Sequence, residues 1–159
     1  MKAAVLTVSD GVVAGTRQDG SGDVLAELLA ADGFDVTRRV VPDEQDEISA
    51  AISELAEAAQ VVITTGGTGV GPRDVTPEAT RAVLDRWALG IAEAIRADAV
   101  TKTPHGMLSR GIAGIRGRTL VVNMPGSPGG CRDGFAVLQP ALGHAVRLLA
   151  GEETAHRQT

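Results

Sequence analysis

Aromatic side chains are scarce in this sequence. Its 159 residues include two Phe, one Trp and no Tyr, so Ala, Val, Ile and Leu must build the core. A surface on which nucleic-acid bases stack needs aromatic side chains. The formal net charge of −5, without a long run of Lys and Arg, argues against a general nucleic-acid binder and against binding to anionic membranes. We therefore expect neither a nucleic-acid partner nor a membrane partner.

Disulfide pairs, metal-ligand clusters and long apolar runs are missing as well. Cys131 is the single cysteine and cannot form an intrachain disulfide, and the three His show no spacing typical of a zinc site. We interpret Cys131 as a small buried residue rather than a nucleophile, because no base is evident near it. No apolar run approaches the ~18–20 residues of a membrane-spanning helix, and the first residues carry no signal-peptide pattern. These features predict a cytoplasmic protein.

Strand-like runs alternate with amphipathic helical patterns along the chain. The runs are residues 2–8, 34–41, 61–64 and 119–123. Such alternation predicts an α/β fold, a three-layer α/β/α arrangement around a mostly parallel central sheet. The length fits one domain, for which we predict residues 1–151, followed by a flexible tail at 152–159.

Three segments are less regular. The pattern after Thr76 predicts a helix that reaches Trp87 and is interrupted at Gly90. Residues 101–118 show no clean periodicity and are interpreted as a long loop or a small excursion from the sheet. In the last helix, Pro140 is expected to kink the helix or divide it in two.

Glycine, in contrast, is abundant, with 20 residues, and several lie directly after predicted strands. In open α/β sheets, ligands bind beyond the carboxyl ends of the strands, near a switch in strand order. The segments at these ends carry hydroxyls, carboxylates and exposed backbone amides; they are residues 9–11, 42–44, 65–74 and 123–127. This set of groups suits a phosphorylated ligand bound with a divalent cation.

The densest group of glycines is the sequence Thr-Gly-Gly-Thr-Gly at residues 65–69. Glycine lets the backbone approach a ligand closely, and successive amides can form an anion-binding concavity. The segment is not a Walker loop, because Pro72 stands where the Lys is required, and the same proline occupies the third glycine position of the dinucleotide fingerprint. A plain glycine-rich turn explains the spacing equally well.

Four further side chains at the same predicted edge are candidates, each with a plainer alternative. Asp43 and Asp74 could hold Mg²⁺ together with substrate phosphates, or could simply be solvated or capping carboxylates. Ser127 could donate to a ligand oxygen from a helix N-terminus or serve only as the N-cap. Arg110, beside Ser109, could contact an anionic substrate or form a surface ion pair.

From Thr65 to Thr80 the chain reads TGGTGVGPRDVTPEAT, which closely resembles the molybdenum-cofactor biosynthesis family that includes MogA, MoaB and the G domain of gephyrin. The resemblance extends without gaps over essentially the whole chain. It includes residues 6–10, 41–44, 107–110, 114–117 and 123–128. Two departures are Gly129-Gly130, where many relatives carry Lys, and Ala88-Leu89, where Pro is frequent.

The resemblance implies an α/β/α molybdopterin-binding fold that is commonly trimeric, and hexameric in some MoaB-type members. It implies ATP and molybdopterin as substrates, Mg²⁺ as cofactor, and other molybdenum cofactor biosynthesis enzymes as partners. Asp43 and Asp74 match the family's important acidic positions, as catalytic residues and Mg²⁺ ligands. The remaining matches, for nucleotide and molybdopterin binding, are Ser9, Asp10, Thr65, Gly66, Gly67, Thr68, Gly69, Ser109, Arg110, Asn123, Gly126 and Ser127.

Three functions are compatible with this resemblance. The first is Mg²⁺- and ATP-dependent adenylylation of molybdopterin with release of pyrophosphate. The second is a MoaB-like protein that binds the pterin without adenylylating it. The third, an oligomeric scaffold, is the least favoured because the short chain carries no appended interaction domain.

Overall fold

The computed structural model of the protein describes residues 1–152 and contains one six-stranded sheet with the order β2-β1-β3-β6-β5-β4. The strands are β1 (Lys2–Val8), β2 (Asp35–Val41), β3 (Val61–Thr65), β4 (Arg86–Trp87), β5 (Ala113–Arg116) and β6 (Thr119–Met124). The first four strands in this order run parallel, whereas β5 and β4 are antiparallel to their neighbours. The mostly parallel central sheet predicted from the sequence is therefore confirmed.

Helices cover both faces of the sheet. They are α1 (Asp10–Val13), α2 (Gly20–Ala31), α3 (Gln45–Ala56), α4 (Thr76–Arg81), α5 (Leu89–Lys102) and α6 (Pro128–Leu149), with a 3₁₀ helix at Pro104–Leu108. Alternate side chains of β1 show the two layers. Val5 packs with α2, α5 and α6, whereas Leu6 packs with α3 and α4 on the opposite face.

The aliphatic core expected from the shortage of aromatics lies on both sides of β3 and β6. The five residues of β3 and the six of β6 are all buried. Continuous burial of this kind is typical of central strands covered by helices on both faces. The polar groups of the loops that follow are consequently held by rigid strands.

The predicted helix from Thr76 to Trp87 is wrong in its second half. α4 ends at Arg81, and Arg86–Trp87 forms β4, with Trp87 opposite Gly114 of β5. The backbone of Arg86–Trp87 forms its hydrogen bonds with β5 instead of within a helix. The local spacing of apolar residues does not reveal this distant partner. Gly90 is the second residue of α5 and does not interrupt a helix.

The segment at residues 101–118 is likewise more ordered than a long loop. It contains the end of α5, the 3₁₀ helix and β5, which returns to β6 through a tight turn with Gly117 at a φ of 58°. Division of the last helix at Pro140 is also wrong, because α6 runs unbroken from Pro128 to Leu149. Pro140 lies on the exposed face of α6, where the carbonyl left without its usual partner can bond to water.

Two further sequence predictions concern the C-terminal tail and the absence of a membrane-spanning helix. The predicted tail lies, apart from residue 152, outside the described residues. Within residues 1–152, none of the helices combines the length and the apolar character of a membrane span.

Candidate active site

A cleft of about 440 Å³ opens at the carboxyl ends of β1, β3 and β6. β1 lies between β2 and β3 in the sheet, so the chain leaves β1 toward one side and later returns on the other. Ligands bind at such a switch in strand order. The cleft is therefore at the position that the sequence analysis assigned to the functional edge.

Eight of the residues that the sequence analysis proposed for the site line this cleft. They are Ser9, Asp43, Thr65, Gly66, Gly67, Asp74, Gly126 and Ser127. They come from four segments of the chain that are far apart in sequence. The parallel strand order brings these segments to one edge, as expected.

Glycine is required at two positions of the loop after β3. Gly66 has a φ of 96°, and a Cβ atom there would lie 2.3 Å from the carbonyl oxygen of Val8. Gly67 has a φ of 68°, and its Cβ would lie 2.3 Å from Oγ1 of Thr76 and 3.3 Å from Oδ1 of Asp43. Both positions demand the left-handed conformation and a bare backbone. The loop thus forms the floor of the cleft in a backbone conformation that suits glycine.

Asp43 is coupled to Asp10 across the loops that follow β2 and β1. The Asp10 amide donates to Oδ2 of Asp43 at 2.8 Å, and the Asp43 amide donates to Oδ1 of Asp10 at 3.0 Å. Burial raises the pKa of Asp43 above its usual value, and the negative charges of Asp10 and Asp74 raise it further. A cation in the cleft would relieve this repulsion.

Arg73 forms ion pairs with two acidic residues beside Asp43, namely Asp10 and Glu44. Its Nε donates to Oδ2 of Asp10 at 2.7 Å, and a second guanidinium nitrogen lies 3.0 Å from Oε1 of Glu44. The Arg73 hydrogen bond lowers the pKa of Asp10. Asp10 is therefore neutralised by Arg73, whereas Asp43 and Asp74 have no such partner among the described residues.

The donor set suits a magnesium ion only when a ligand completes it. Asp74 accepts the Gly71 amide at Oδ2, at 2.9 Å, and so retains its second carboxylate oxygen. Within the described part of the chain no group of three or more His, Cys, Asp or Glu side chains could hold a metal by itself. Mg²⁺ is commonly held by one or two carboxylates together with substrate phosphates. Asp43 and Asp74 fit that pattern.

Ser127 and Gly126 form the opposite wall. Ser127 is the N-cap of α6, with Oγ accepting the Gly130 amide at 3.1 Å, which confirms the capping interpretation. It also borders the cleft, where the N-terminus of α6 favours negative charge. A Cβ at Gly126 would lie 3.3 Å from Cα of Gly66. The loop after β6 and the loop after β3 therefore pack closely against each other at these two glycines.

Arg110 holds the glycine loop from behind instead of facing the cleft. Its Nε donates to the Gly69 carbonyl and a terminal nitrogen to the Asp74 carbonyl, both at 2.7 Å, while its amide donates to the Thr68 carbonyl at 2.8 Å. It also pairs with Glu78, as the ion-pair alternative predicted. Arg110 thus fixes the loop that carries Asp74.

Asn123 and Ser109 also lie behind the cleft. The Asn123 amide nitrogen donates to the hydroxyls of Thr64 and Thr80, at 2.9 and 3.0 Å, and its oxygen accepts the Ile112 amide. Because Asn123 is buried, these bonds join strands and helix rather than reach a ligand. Ser109 lines a neighbouring cavity of about 290 Å³ that Ser127 also borders.

The sequence reasoning missed several residues that line the cleft. They are Thr7, Val8, Val12, Arg17, Gln18, Ser21 and Pro128. Most of them belong to residues 7–21, where a polar glycine-rich stretch conceals α1 and the start of α2. The interpretation of Cys131 is supported: it is buried, and burial raises the pKa of its thiol to about 11.

Comparison with known proteins identifies the family of this chain. The family model described as "Probable molybdopterin binding domain" matches residues 4–144. The chain is 35% identical over 152 residues to a molybdopterin adenylyltransferase of Helicobacter pylori, covering 92% of this chain and 86% of that protein. It is 37% identical over 159 residues to the molybdenum cofactor synthesis protein cinnamon of Drosophila melanogaster, covering 98% of this chain and 26% of that protein.

A solved structure gives the same result. The crystal structure of the molybdopterin biosynthesis enzyme MoaB from Thermus thermophilus superposes with a TM-score of 0.88 at 44% identity, covering 94% of this chain and 96% of that one. The chain spans less than half the length of several curated relatives that it matches. The fold, the cleft and these similarities show that the chain belongs to the molybdenum cofactor biosynthesis family of molybdopterin-binding domains.

Proposed function

We propose that this protein is a molybdopterin adenylyltransferase, which transfers AMP from ATP to molybdopterin and releases pyrophosphate. The observation that carries the proposal is the pairing of Asp43 and Asp74 with the bare backbone of Gly66 and Gly67 in one cleft. Nucleotidyl transfer depends mainly on positioning and on neutralisation of phosphate charge. The name of the Helicobacter pylori relative, of which the chain covers 86%, supports the same reaction.

Asp43 and Asp74 would hold Mg²⁺ between the acidic side of the cleft and the substrate phosphates. The bound ion would supply neutralisation of the charge that develops on the leaving pyrophosphate. Gly66 and Gly67 line the cleft and would place main chain beside the phosphates, and Ser127 places the positive end of α6 on the opposite wall. Asp10, already paired with Arg73, orients Asp43 through their reciprocal amide bonds.

The test is pyrophosphate release by the purified protein with molybdopterin, ATP and Mg²⁺. We expect release that requires all three, with adenylylated molybdopterin as the other product. Asp74→Asn should lower kcat by about 100-fold or more, because a neutral amide is a poor ligand for Mg²⁺. Asp35→Asn, at an exposed aspartate where β2 begins, should leave turnover unchanged. Full turnover by Asp74→Asn would remove Asp74 from the chemistry.

A MoaB-like binding protein without adenylyltransferase activity is the second candidate. The chain is 44% identical to the Thermus thermophilus MoaB structure and 42% identical to a MogA structure, so sequence identity keeps this candidate beside the first. In that case the cleft would bind molybdopterin tightly and the protein would consume no ATP. Equilibrium binding of molybdopterin, measured beside the pyrophosphate assay, separates the two functions.

We also propose that the protein assembles as a homotrimer or a hexamer. Large apolar side chains on α5 and the 3₁₀ helix support this, since Val100, Met107 and Leu108 are 40%, 65% and 47% exposed. Clustered exposed apolar side chains favour a protein partner. Light scattering during size-exclusion chromatography would give the mass, and a mass of 16.3 kDa would contradict the proposal.

A further inference from the structure

The cleft carries an unusual balance of charge for a site that receives phosphates. Asp43 and Asp74 line it, and Arg17 is the one cationic side chain that lines it among residues 1–152. Several phosphate groups would enter this space if the proposed function is correct. Phosphate sites commonly include Arg, because its planar guanidinium donates two parallel hydrogen bonds to phosphate oxygens.

Other arginines near the cleft are already engaged. Arg73 pairs with Asp10 and Glu44. Arg110 pairs with Glu78 and bonds to carbonyls of the glycine loop. Turning either guanidinium toward a ligand would break these bonds. Among the described residues Arg17 enters no ion pair, so its charge is available at no such cost.

The backbone around Arg17 is fixed, although the side chain is exposed. The Arg17 amide donates to the Gly11 carbonyl at 3.1 Å, and the Thr16 amide donates to the same oxygen at 2.9 Å. These bonds fold the segment back over α1, which itself begins at the end of β1. The base of the side chain is therefore held in place at the cleft while its guanidinium remains free to meet a ligand.

We propose that Arg17 binds a phosphate group of the bound substrate and supplies the positive side chain of the cleft for that contact. This assignment rests on the proposed function for the identity of the substrate. The phosphate could come from ATP or from molybdopterin, and both present the same chemistry to a guanidinium. Measurement of the two KM values separates these sources.

The first experiment compares Arg17→Gln and Arg17→Lys with the unaltered protein. Arg17→Gln should raise KM for one of the two substrates about 10- to 100-fold and change kcat by much less, as expected when a charge-assisted contact is lost. Arg17→Lys should recover part of that affinity because it keeps the charge without the planar fork. Arg118→Gln is the matched control. Arg118 is exposed, lies on the β5–β6 turn at the opposite edge of the sheet, and should leave both KM values unchanged.

A second readout does not depend on turnover. Calorimetric titration with inorganic tripolyphosphate and Mg²⁺ should show about 10-fold weaker binding for Arg17→Gln than for Arg118→Gln, with the difference shrinking as salt is added. Equal affinities of these two variants, or unchanged KM values for both substrates, would overturn the assignment. If the protein binds tripolyphosphate through Arg17 but transfers no AMP, the proposed function fails while the phosphate contact stands.

Discussion

Two loops form the facing walls of the cleft, and the chain holds them in different ways. The glycine loop, residues 66–74, follows β3 and is fastened from outside by Arg110, a charged side chain distant in sequence. The second loop, residues 125–127, follows β6 and is fastened from inside by buried neutral groups. Thr65 donates to the Pro125 carbonyl at 2.7 Å, and the Cys131 thiol donates to the same oxygen at 3.2 Å.

The difference indicates what each loop does. The glycine loop carries Asp74 and borders the cleft, and its supports lie behind it and are partly exposed. The second loop begins α6 and can rest on the core, where hydrogen bonds are short and shielded from water. We expect changes in the glycine loop to affect catalysis and stability together, and changes under the second loop to affect mainly stability.

Gly66→Ala should have the largest effect. A methyl group there would collide with the Val8 carbonyl oxygen and would force a non-glycine residue to a φ of 96°. We expect a loss of about 2–4 kcal/mol in the free energy of unfolding from strain and overpacking. Turnover should fall with it, because the floor of the cleft moves.

The matched control for that variant is Gly90→Ala. Gly90 has an ordinary φ, and a Cβ there would meet nothing within 4 Å. Urea denaturation should show a change below about 1 kcal/mol, since alanine at an open helical position is tolerated or mildly favourable. Equal destabilisation by the two variants would show that the glycine loop has no special requirement at Gly66.

Arg110→Gln should have the next largest effect. Glu78→Gln separates the contribution of the ion pair from that of the hydrogen bonds to the loop carbonyls. Arg110→Gln removes the ion pair and the bonds to the Gly69 and Asp74 carbonyls, so we expect a loss of about 1–3 kcal/mol and roughly 10-fold in kcat/KM. Glu78→Gln removes only a half-exposed ion pair, worth about 1 kcal/mol or less. If both variants lose the same activity, the carbonyl bonds do not position Asp74.

The same ion pair predicts a dependence on pH. The Arg110 guanidinium lowers the pKa of Glu78 below its usual value. The stabilisation is therefore present above the pKa of unfolded Glu78 and is lost as the pH falls through the lower, folded value. The stability difference between the unaltered protein and Glu78→Gln should shrink on acidification.

Thr65→Val should have a smaller effect that is confined to stability. It keeps the shape of the side chain but removes the hydroxyl that donates to the Pro125 carbonyl, at a cost of about 1 kcal/mol. Thermal unfolding measures the loss, and pyrophosphate release measures turnover. A drop in turnover larger than about 10-fold, with little change in stability, would place the Thr65 hydroxyl on the substrate instead.

The contrast between the loops also shows how far sequence reasoning reached. Glycine and proline directly after buried strands predict both loops, and the parallel sheet order is enough to bring Asp43 and Asp74 to one edge. The supports were not found. Arg110 and Asn123 have the residue types of ligand-binding groups, and only the fold shows that their bonds go to backbone and neighbouring hydroxyls.

The misplaced elements have a related cause. β4 and β5 are short strands, and β4 pairs with a strand that lies far along the chain. Local spacing therefore favours a helix at β4, and a loop or a small excursion from the sheet at residues 101–118, which contain β5. The sequence does not single out Arg17, because the case for Arg17 as a phosphate ligand depends on which neighbouring arginines are already in ion pairs. That information is absent from local sequence patterns and follows only from tertiary contacts.

Cys131→Ala should have the smallest effect, and its pH dependence tests the shielded character of the second loop. We expect a loss of about 0.5–1 kcal/mol at neutral pH from the thiol's contacts with Thr65 and the Pro125 carbonyl. Burial raises the pKa of the thiol from 9.0 to about 11, so the folded protein retains a proton that the unfolded chain releases. The thiol's contribution is therefore full below pH 9.0 and declines as the pH rises toward 11. Urea titrations of both proteins at neutral and alkaline pH should show the stability difference shrinking, whereas a constant difference would mean that water reaches the sulfur beneath the second loop.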